Sequence, residues 1–231
     1  MALAPGACAV EFGGETLHLL PQRAAFLPRH GCLLVADAHL GKAVAFRRAG
    51  LPVPVGTTAE NLAELDAALA ATGATAIVFL GDLLHSARSR APGTVAAVAA
   101  WRERHPDLAL RLVRGNHDAH AGDPPPEWRI EAVDEPFALS ALRLAHHPEP
   151  CDDGAVLAGH LHPGITLGGR ANDRLRLPCF HFGPRVGVLP AFGAFTGLHI
   201  VRPQPGDGVF AVTPTAVVPV GPVRGPYTAG P

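Results

Sequence analysis

Cys32-Leu33-Leu34-Val35-Ala36-Asp37-Ala38-His39 is a short apolar run of strand length that stops at a carboxylate and an imidazole. Four later stretches repeat the arrangement. Residues 75–80 lead into Gly81-Asp82, residues 108–113 into Gly115-Asn116-His117-Asp118, residues 142–145 into His146-His147, and residues 155–158 into Gly159-His160-Leu161-His162. In open α/β sheets, ligands bind beyond the carboxyl ends of the strands, so these endings are expected to gather their side chains at one edge.

Working outward, the elements between these endings alternate. Thr57-Thr58-Ala59-Glu60 matches a capping box, Leu62, Leu65 and Leu69 share a helical face, and Gly73 is a stop signal. A second helix is predicted from Pro92 through Val95, Val98 and Trp101 to about Arg104. Strand, helix, strand, helix, strand over 32–113 is the pattern of a parallel sheet. Upstream, residues 8–19 read as a hairpin turning on Gly13-Gly14, and the strand into Asp37 is then the third.

Helical periodicity fades after residue 125. Short strands are expected over 139–145, 155–158, 179–182 and 198–201, with an edge strand at 209–212. A second sheet built from them would pack face to face on the first, with helices outside. Leu51-Pro52-Val53-Pro54-Val55-Gly56 reads as a shaped loop, since two prolines and a glycine oppose regular helix. Residues 203–231 form a Pro- and Gly-rich tail whose last ten residues are expected to be loose.

Composition narrows the class. With 231 residues, 48% hydrophobic and 17% charged, the chain is expected to form one well-buried enzyme domain spanning 1–231. A net charge of -1 gives no global field for a polyanion, so any such substrate must be held by local charges or bound metal. Cys8, Cys32, Cys151 and Cys179 form no C-x-x-C pair, which argues for reduced thiols and against structural zinc. No leader pattern and no apolar stretch of spanning length is present, so a cytoplasmic protein without membrane contact is expected.

Taken singly, an Asp or His at a strand end is an ordinary cap or turn residue. Five such endings in one chain are not the work of independent capping. Carboxylate, amide and imidazole make a donor set suited to Mn²⁺, Fe or Zn²⁺.

These motifs resemble the calcineurin-like metallophosphoesterases over about residues 33–163. The resemblance implies a four-layer α/β/β/α sandwich and two divalent metals, most simply Mn²⁺, with Fe, Zn²⁺ or Mg²⁺ as alternatives. It implies that Asp82 bridges the two metals, that Asp37, His39 and His162 complete one, and that Asn116, His160 and a strand-terminal histidine complete the other. His146 is preferred to His147 because it shares strand parity with Leu142 and Leu144, so the two rings should face opposite ways. Two cations about 3.5–4 Å apart activate water and neutralise phosphate oxygens during in-line displacement. By the same resemblance His117 protonates the leaving oxygen and Asp118 orients its ring. Gly115 is expected to supply the backbone conformation that turns Asn116 and His117 inward.

Asp-Ala-His-Leu-Gly-Lys with Phe46-Arg47-Arg48, Gly81-Asp82-Leu83-Leu84-His85-Ser86 and Gly159-His160-Leu161-His162-Pro163 is similar to one bacterial branch, the ligase-associated DNA-damage-response endonucleases. That likeness implies a DNA phosphodiesterase working beside a DNA ligase and a helicase. Lys42, Arg47, Arg48, His85 and Arg114 follow or flank the motifs and are the candidate phosphate contacts. A hydrolase of small phosphoesters or nucleotides is the alternative, since the same metal centre serves either, and a non-catalytic scaffold is disfavoured by the intact motif set. No aromatic and basic run of the kind that stacks single-stranded bases is apparent.

Overall fold

The computed structural model describes residues 2–221 apart from 49, 51, 52, 54, 55, 169–172 and 195, and excludes the side chain of Arg48. The expectations for that side chain, for most of the 51–56 loop and for the last ten residues lie outside the described residues.

Strands β1 (Cys8–Phe12), β2 (Glu15–Leu19), β3 (Ala25–Leu27), β4 (Cys32–Ala36), β5 (Ala76–Leu80), β6 (Ala109–Val113) and β7 (Glu131–Val133) form a seven-stranded sheet in sequence order. It is antiparallel from β1 to β4 and parallel from β4 to β7. Helices α1 (Lys42–Arg48), α2 (Thr57–Thr72), α3 (Pro92–Arg104) and α4 (Asn116–Ala121) belong to its crossovers. The central parallel strands β4 and β5 are apolar along their whole length because both faces are covered. Leu34 and Ala36 of β4 pack into the core between the sheets, while Leu33 and Val35 pack with Leu62, Leu65, Leu69, Val98 and Trp101 of the helices. Truncating either leucine to alanine would leave a cavity costing about 2–5 kcal/mol.

The second, nine-stranded sheet comprises β8 (Phe137–Leu139), β9 (Leu142–Leu144), β10 (Ala155–Ala158), β11 (Pro163–Gly168), β12 (Arg174–Phe182), β13 (Val186–Val188), β14 (His199–Ile200), β15 (Gly208–Val212) and β16 (Val217–Pro219). Its inner face supplies Leu142, Leu144, Leu157, Phe180, Phe182 and Phe210 to the core shared with Val10, Phe12, Leu17 and Leu19. Two mixed sheets thus pack face to face with helices outside, as the sequence predicts. The helical residues of the core lie against the seven-stranded sheet, and among the described residues the far face of β10 carries a small cluster of Ala145, Val156 and Ala158, with Cys151 and Val186 packed on it. No helix among the described residues is long and apolar enough to cross a membrane.

Several local expectations are corrected. The strand into Asp37 is the fourth, because Ala25–Leu27, buried at every position, has no alternation to betray it. Residues 139–145 are a hairpin rather than one strand, turned at Ser140 with φ 54°. Val209–Val212 is no edge: β15 is buried throughout and lies between β12 and β16. The Thr57–Glu60 capping box does not form. Thr57 is already helical, and Gly56 with φ 103° caps α2 without a side-chain bond, the Glu60 amide donating to its carbonyl at 3.0 Å.

Candidate metal centre

The parallel ladder continues past the strand ends and ties the first two motifs together. The amides of Asp37, His39 and Leu40 donate to the carbonyls of Gly81, Asp82 and Leu83 at 3.3, 2.9 and 2.7 Å. Among the described residues, eight other than glycine stand at positive φ, and Asp37, His39, Asp82, His160 and His162 are five of them. Such backbone costs about 1–3 kcal/mol per residue and persists only where the surroundings enforce it. Two glycines serve by close approach: a Cβ on Gly115 would lie 2.5 Å from Asp82 Oδ1, and one on Gly159 would lie 2.6 Å from Asp37 Oδ2. Gly115 therefore matters for space rather than for the special backbone expected of it, since its φ of -102° is open to any residue.

The structure brings all seven residues named as ligand candidates to one buried edge, in two lobes. In the first, the ligand atoms of Asp37, His39 and His162 lie within 4.8 Å of one another, with His162 Nε2 3.5 Å from Asp37 Oδ1. In the second, His146 Nε2 sits 2.8 Å from Asn116 Oδ1, 3.0 Å from His160 Nδ1 and 3.5 Å from Asp82 Oδ1. Asp82 faces both lobes, its Oδ2 lying 4.0 Å from His39 Nε2.

The donor balance of this cluster fits cations. Asp37 Oδ2 accepts the His160 amide at 2.8 Å, but Asp37 Oδ1 is buried with no hydrogen-bond partner among the described residues. His146 Nδ1 donates to the Leu80 carbonyl at 3.1 Å, so the neutral ring turns a lone pair on Nε2 toward the Asn116 oxygen, also an acceptor. Burial lowers the pKa of His146 and His160 and drives that of His39 down to about 2, so these rings are neutral and able to ligate. Burial, then the neighbouring Asp37, raises the pKa of Asp82. Lone pairs facing lone pairs in a dry site are destabilising unless positive charge sits among them.

His147 departs from expectation. It does not turn to the opposite face: its ring lies 4.8 Å from that of His146 and 4.7 Å from that of His160, and its ligand atom groups with theirs. β9 ends at Leu144, so strand parity no longer governs either histidine. Glu135 holds this corner, accepting the His146 and His147 amides at 2.7 and 2.9 Å and facing His147 Nδ1 at 2.5 Å. Sequence reasoning missed Glu135, which stands outside every strand-end motif. It also missed buried Asn61 of α2, which donates to the Ala38 carbonyl at 3.0 Å and accepts the Ala194 amide at 3.2 Å. That pair of bonds pins the loop between Asp37 and His39.

The assignment of Asp118 to the His117 ring is overturned. His117 Nδ1 donates instead to the His85 carbonyl at 2.8 Å, leaving Nε2 3.8 Å from Asp82 Oδ2. Asp118 accepts the Gly115 and Leu84 amides at 3.0 and 3.2 Å and shapes the loop backbone at the start of α4. It follows His117 on a helix, where adjacent side chains do not face each other.

Of the candidate phosphate contacts, Lys42 is half-buried within the electrostatic reach of Asp37 and Asp82: burial lowers its pKa, against the attraction of those two carboxylates. The His85 ring packs edge-on against His39 at 5.3 Å and tilts onto His117 at 4.8 Å. Arg47 donates to the Val53 carbonyl at 3.4 Å and lines a cavity of about 420 Å³ with the first turns of α2 and α3. Arg114 is withdrawn as a candidate, because Asp123 binds its guanidinium through two bonds of 2.8 and 2.9 Å and Asp134 adds a third at 2.8 Å. A guanidinium so neutralised has little to offer a phosphate.

No protein-family model matches the chain, and no curated protein does. Among solved structures it is similar to the Pseudomonas putida nuclease MPE, with 42% sequence identity and a TM-score of 0.82 over 93% of this chain and 100% of that one. Identity at that level over the entire length of the nuclease, joined to Asp and His clusters buried where five strand ends meet, shows that the chain belongs to the metallophosphoesterase family of the nuclease MPE.

Proposed function

We propose that the protein is a metal-dependent phosphodiesterase that cleaves DNA internally, a nuclease of the ligase-associated DNA-damage-response branch, PdeM. The observation that carries this reading is the excess of inward lone pairs split into two lobes around Asp82. Asp37, His39, Asp82 and His162 would hold one cation, and Asp82, Asn116, His146 and His160 the other. Oxygen and nitrogen donors without thiolate suit Mn²⁺. Cations held there would supply activation of water and neutralisation of the phosphate charge.

The chain's own residues do the rest. His117, fixed at Nδ1 by the His85 carbonyl, presents Nε2 to the cluster and gives its proton to the leaving oxygen. Lys42 adds positive charge beside the reacting phosphate. Likeness to a nuclease supports nucleic acid over small esters, and the branch motifs support DNA and a place in repair beside a ligase and a helicase.

The test is Mn²⁺-replete protein on single-stranded, duplex and nicked DNA, beside a mononucleotide. Internal cleavage of DNA at far higher kcat/KM than release of phosphate from the mononucleotide is expected. Turnover of the mononucleotide alone would sink the nuclease reading and leave a small-ester phosphatase.

A further inference from the structure

Phe46 is a large apolar ring that is only half-buried. Among the described phenylalanines only Phe46 and Phe137 escape burial, and Phe137 packs against the core between the sheets. Phe46 belongs to none of the hydrophobic clusters formed by the described residues. It stacks instead on His85, with centroids 5.6 Å apart and planes 25° from parallel. His85 in turn tilts onto His117 at 4.8 Å and 31°. Three rings therefore run outward from the proposed proton donor. A cavity of about 410 Å³ opens beside them, lined by Ala45, Phe46, His85, Ser86, Ala87 and Arg88. Lys42 links this row to the metal centre, its Nζ lying 5.9 Å from the Phe46 ring centroid and feeling the attraction of Asp37 and Asp82.

We propose that Phe46 and His85 form a stacking subsite for one nucleobase of the substrate, the base of the nucleoside that leaves. The inference rests on the nuclease reading. Stacking suits every base through its π-face, and a half-buried ring beside the Lys42 ammonium accommodates a base together with the phosphate on its sugar. The leaving side follows from His117, since the ring that protonates the leaving oxygen is the one that His85 touches. Lys42 and Arg88 would flank the nucleotide, and Phe46 would serve as a binding rather than a catalytic group.

The test uses a dinucleotide and two analogues, each lacking the base at one end, with the products identifying the leaving nucleoside. For the wild-type protein, loss of the leaving base is expected to raise KM about tenfold, from the usual worth of one base–aromatic stack, with little change on losing the other base. Phe46→Ala should raise KM for the intact dinucleotide by a similar factor and abolish the difference between it and the analogue. Phe46→Trp should restore that difference. Equal use of all three substrates by the wild-type protein would overturn the subsite without any variant. So would a Phe46→Ala protein that turns over more slowly yet still discriminates, because Phe46 would then only support His85. If the wild-type protein cleaves none of the diesters but hydrolyses a mononucleotide, the nuclease reading fails first and takes the subsite with it.

Discussion

The parallel sheet carries a cluster of aspartate and histidine at each end, and the two are built on opposite principles. Before the amino ends of β5 and β6, Asp66 Oδ1 accepts Trp101 Nε1 at 2.6 Å and faces His105 Nε2 at 2.8 Å, while Oδ2 accepts Arg104 at 3.2 Å. Both carboxylate oxygens are matched by donors, and none of these residues stands at positive φ. Beyond the carboxyl ends, Asp37 Oδ1 has no donor among the described residues, His146 turns a lone pair on the Asn116 oxygen, and five residues hold left-handed backbone.

The carboxylates register the contrast. Burial tends to raise the pKa of both Asp66 and Asp82. At Asp66 the hydrogen bonds from His105, Trp101 and Arg104 outweigh it and the pKa falls, whereas at Asp82 the nearby Asp37 adds to burial and the pKa rises. A structural cluster is complete within the protein. A functional one is completed by something else, and that difference separates them better than residue type does.

The largest expected break in the comparison is at Asp82. Asp82→Asn keeps a side chain that tolerates left-handed backbone but removes the charge facing both lobes, so activity should fall about a thousandfold or more and bound Mn²⁺ should be lost with it. Elemental analysis beside kcat decides: an Asp82→Asn protein that retains two metals and near-normal turnover would refute the shared role. Asp66→Asn should leave metal content and kcat unchanged.

A smaller effect separates His117 from Asp118. His117→Gln should retain metal while kcat falls about a hundredfold, with a lesser loss on esters whose leaving group needs no proton. Asp118→Asn should lower stability by about 1 kcal/mol through weakened amide bonds, without changing the dependence of rate on leaving-group pKa. A changed dependence in Asp118→Asn would return the carboxylate to the proton-transfer chain.

The smallest effect lies at the satisfied end. Because the folded-state pKa of Asp66 is depressed, the stability it contributes is present above the pKa of an unfolded aspartate and is lost as pH falls through the lower folded value. Asp66→Asn should therefore flatten the acid limb of a stability-versus-pH curve and leave it unaltered near neutrality in shape. The group is partly solvated, so the change is modest. An unaltered acid limb would mean that His105 and Arg104 do not favour the charged carboxylate.

Much of the centre was legible because the information is local. A strand must end somewhere, and Asp37, Asp82, Asn116, His146 and His160 follow apolar runs short enough to read as strands. Helices α2 and α3 were equally open to reading, since Leu62, Leu65, Val98 and Trp101 repeat with the helical period. Failures came where a residue acts outside its own segment. Glu135 and Asn61 reach the motifs only through folding, and the carbonyl that orients His117 belongs to His85, 32 residues earlier. Backbone atoms carry no sequence signal, so the ring partner that the resemblance implies, Asp118, gives way to a carbonyl that no motif marks.

Sequence alone determined which strands end in ligand-type residues and in what order, because alternation and apolar run length are properties of a chain segment. Tertiary structure decided how those endings face each other: that Asp82 looks into both lobes, that His147 joins His146 and His160, and that Asp123 and Asp134 take Arg114. It also decided that Phe46 stacks on His85 instead of entering a core. The physical reason is that donor balance and stacking depend on distances of a few ångströms between segments far apart in the chain. A one-dimensional pattern carries the periodicity of each segment, and only the packed sheets set those distances.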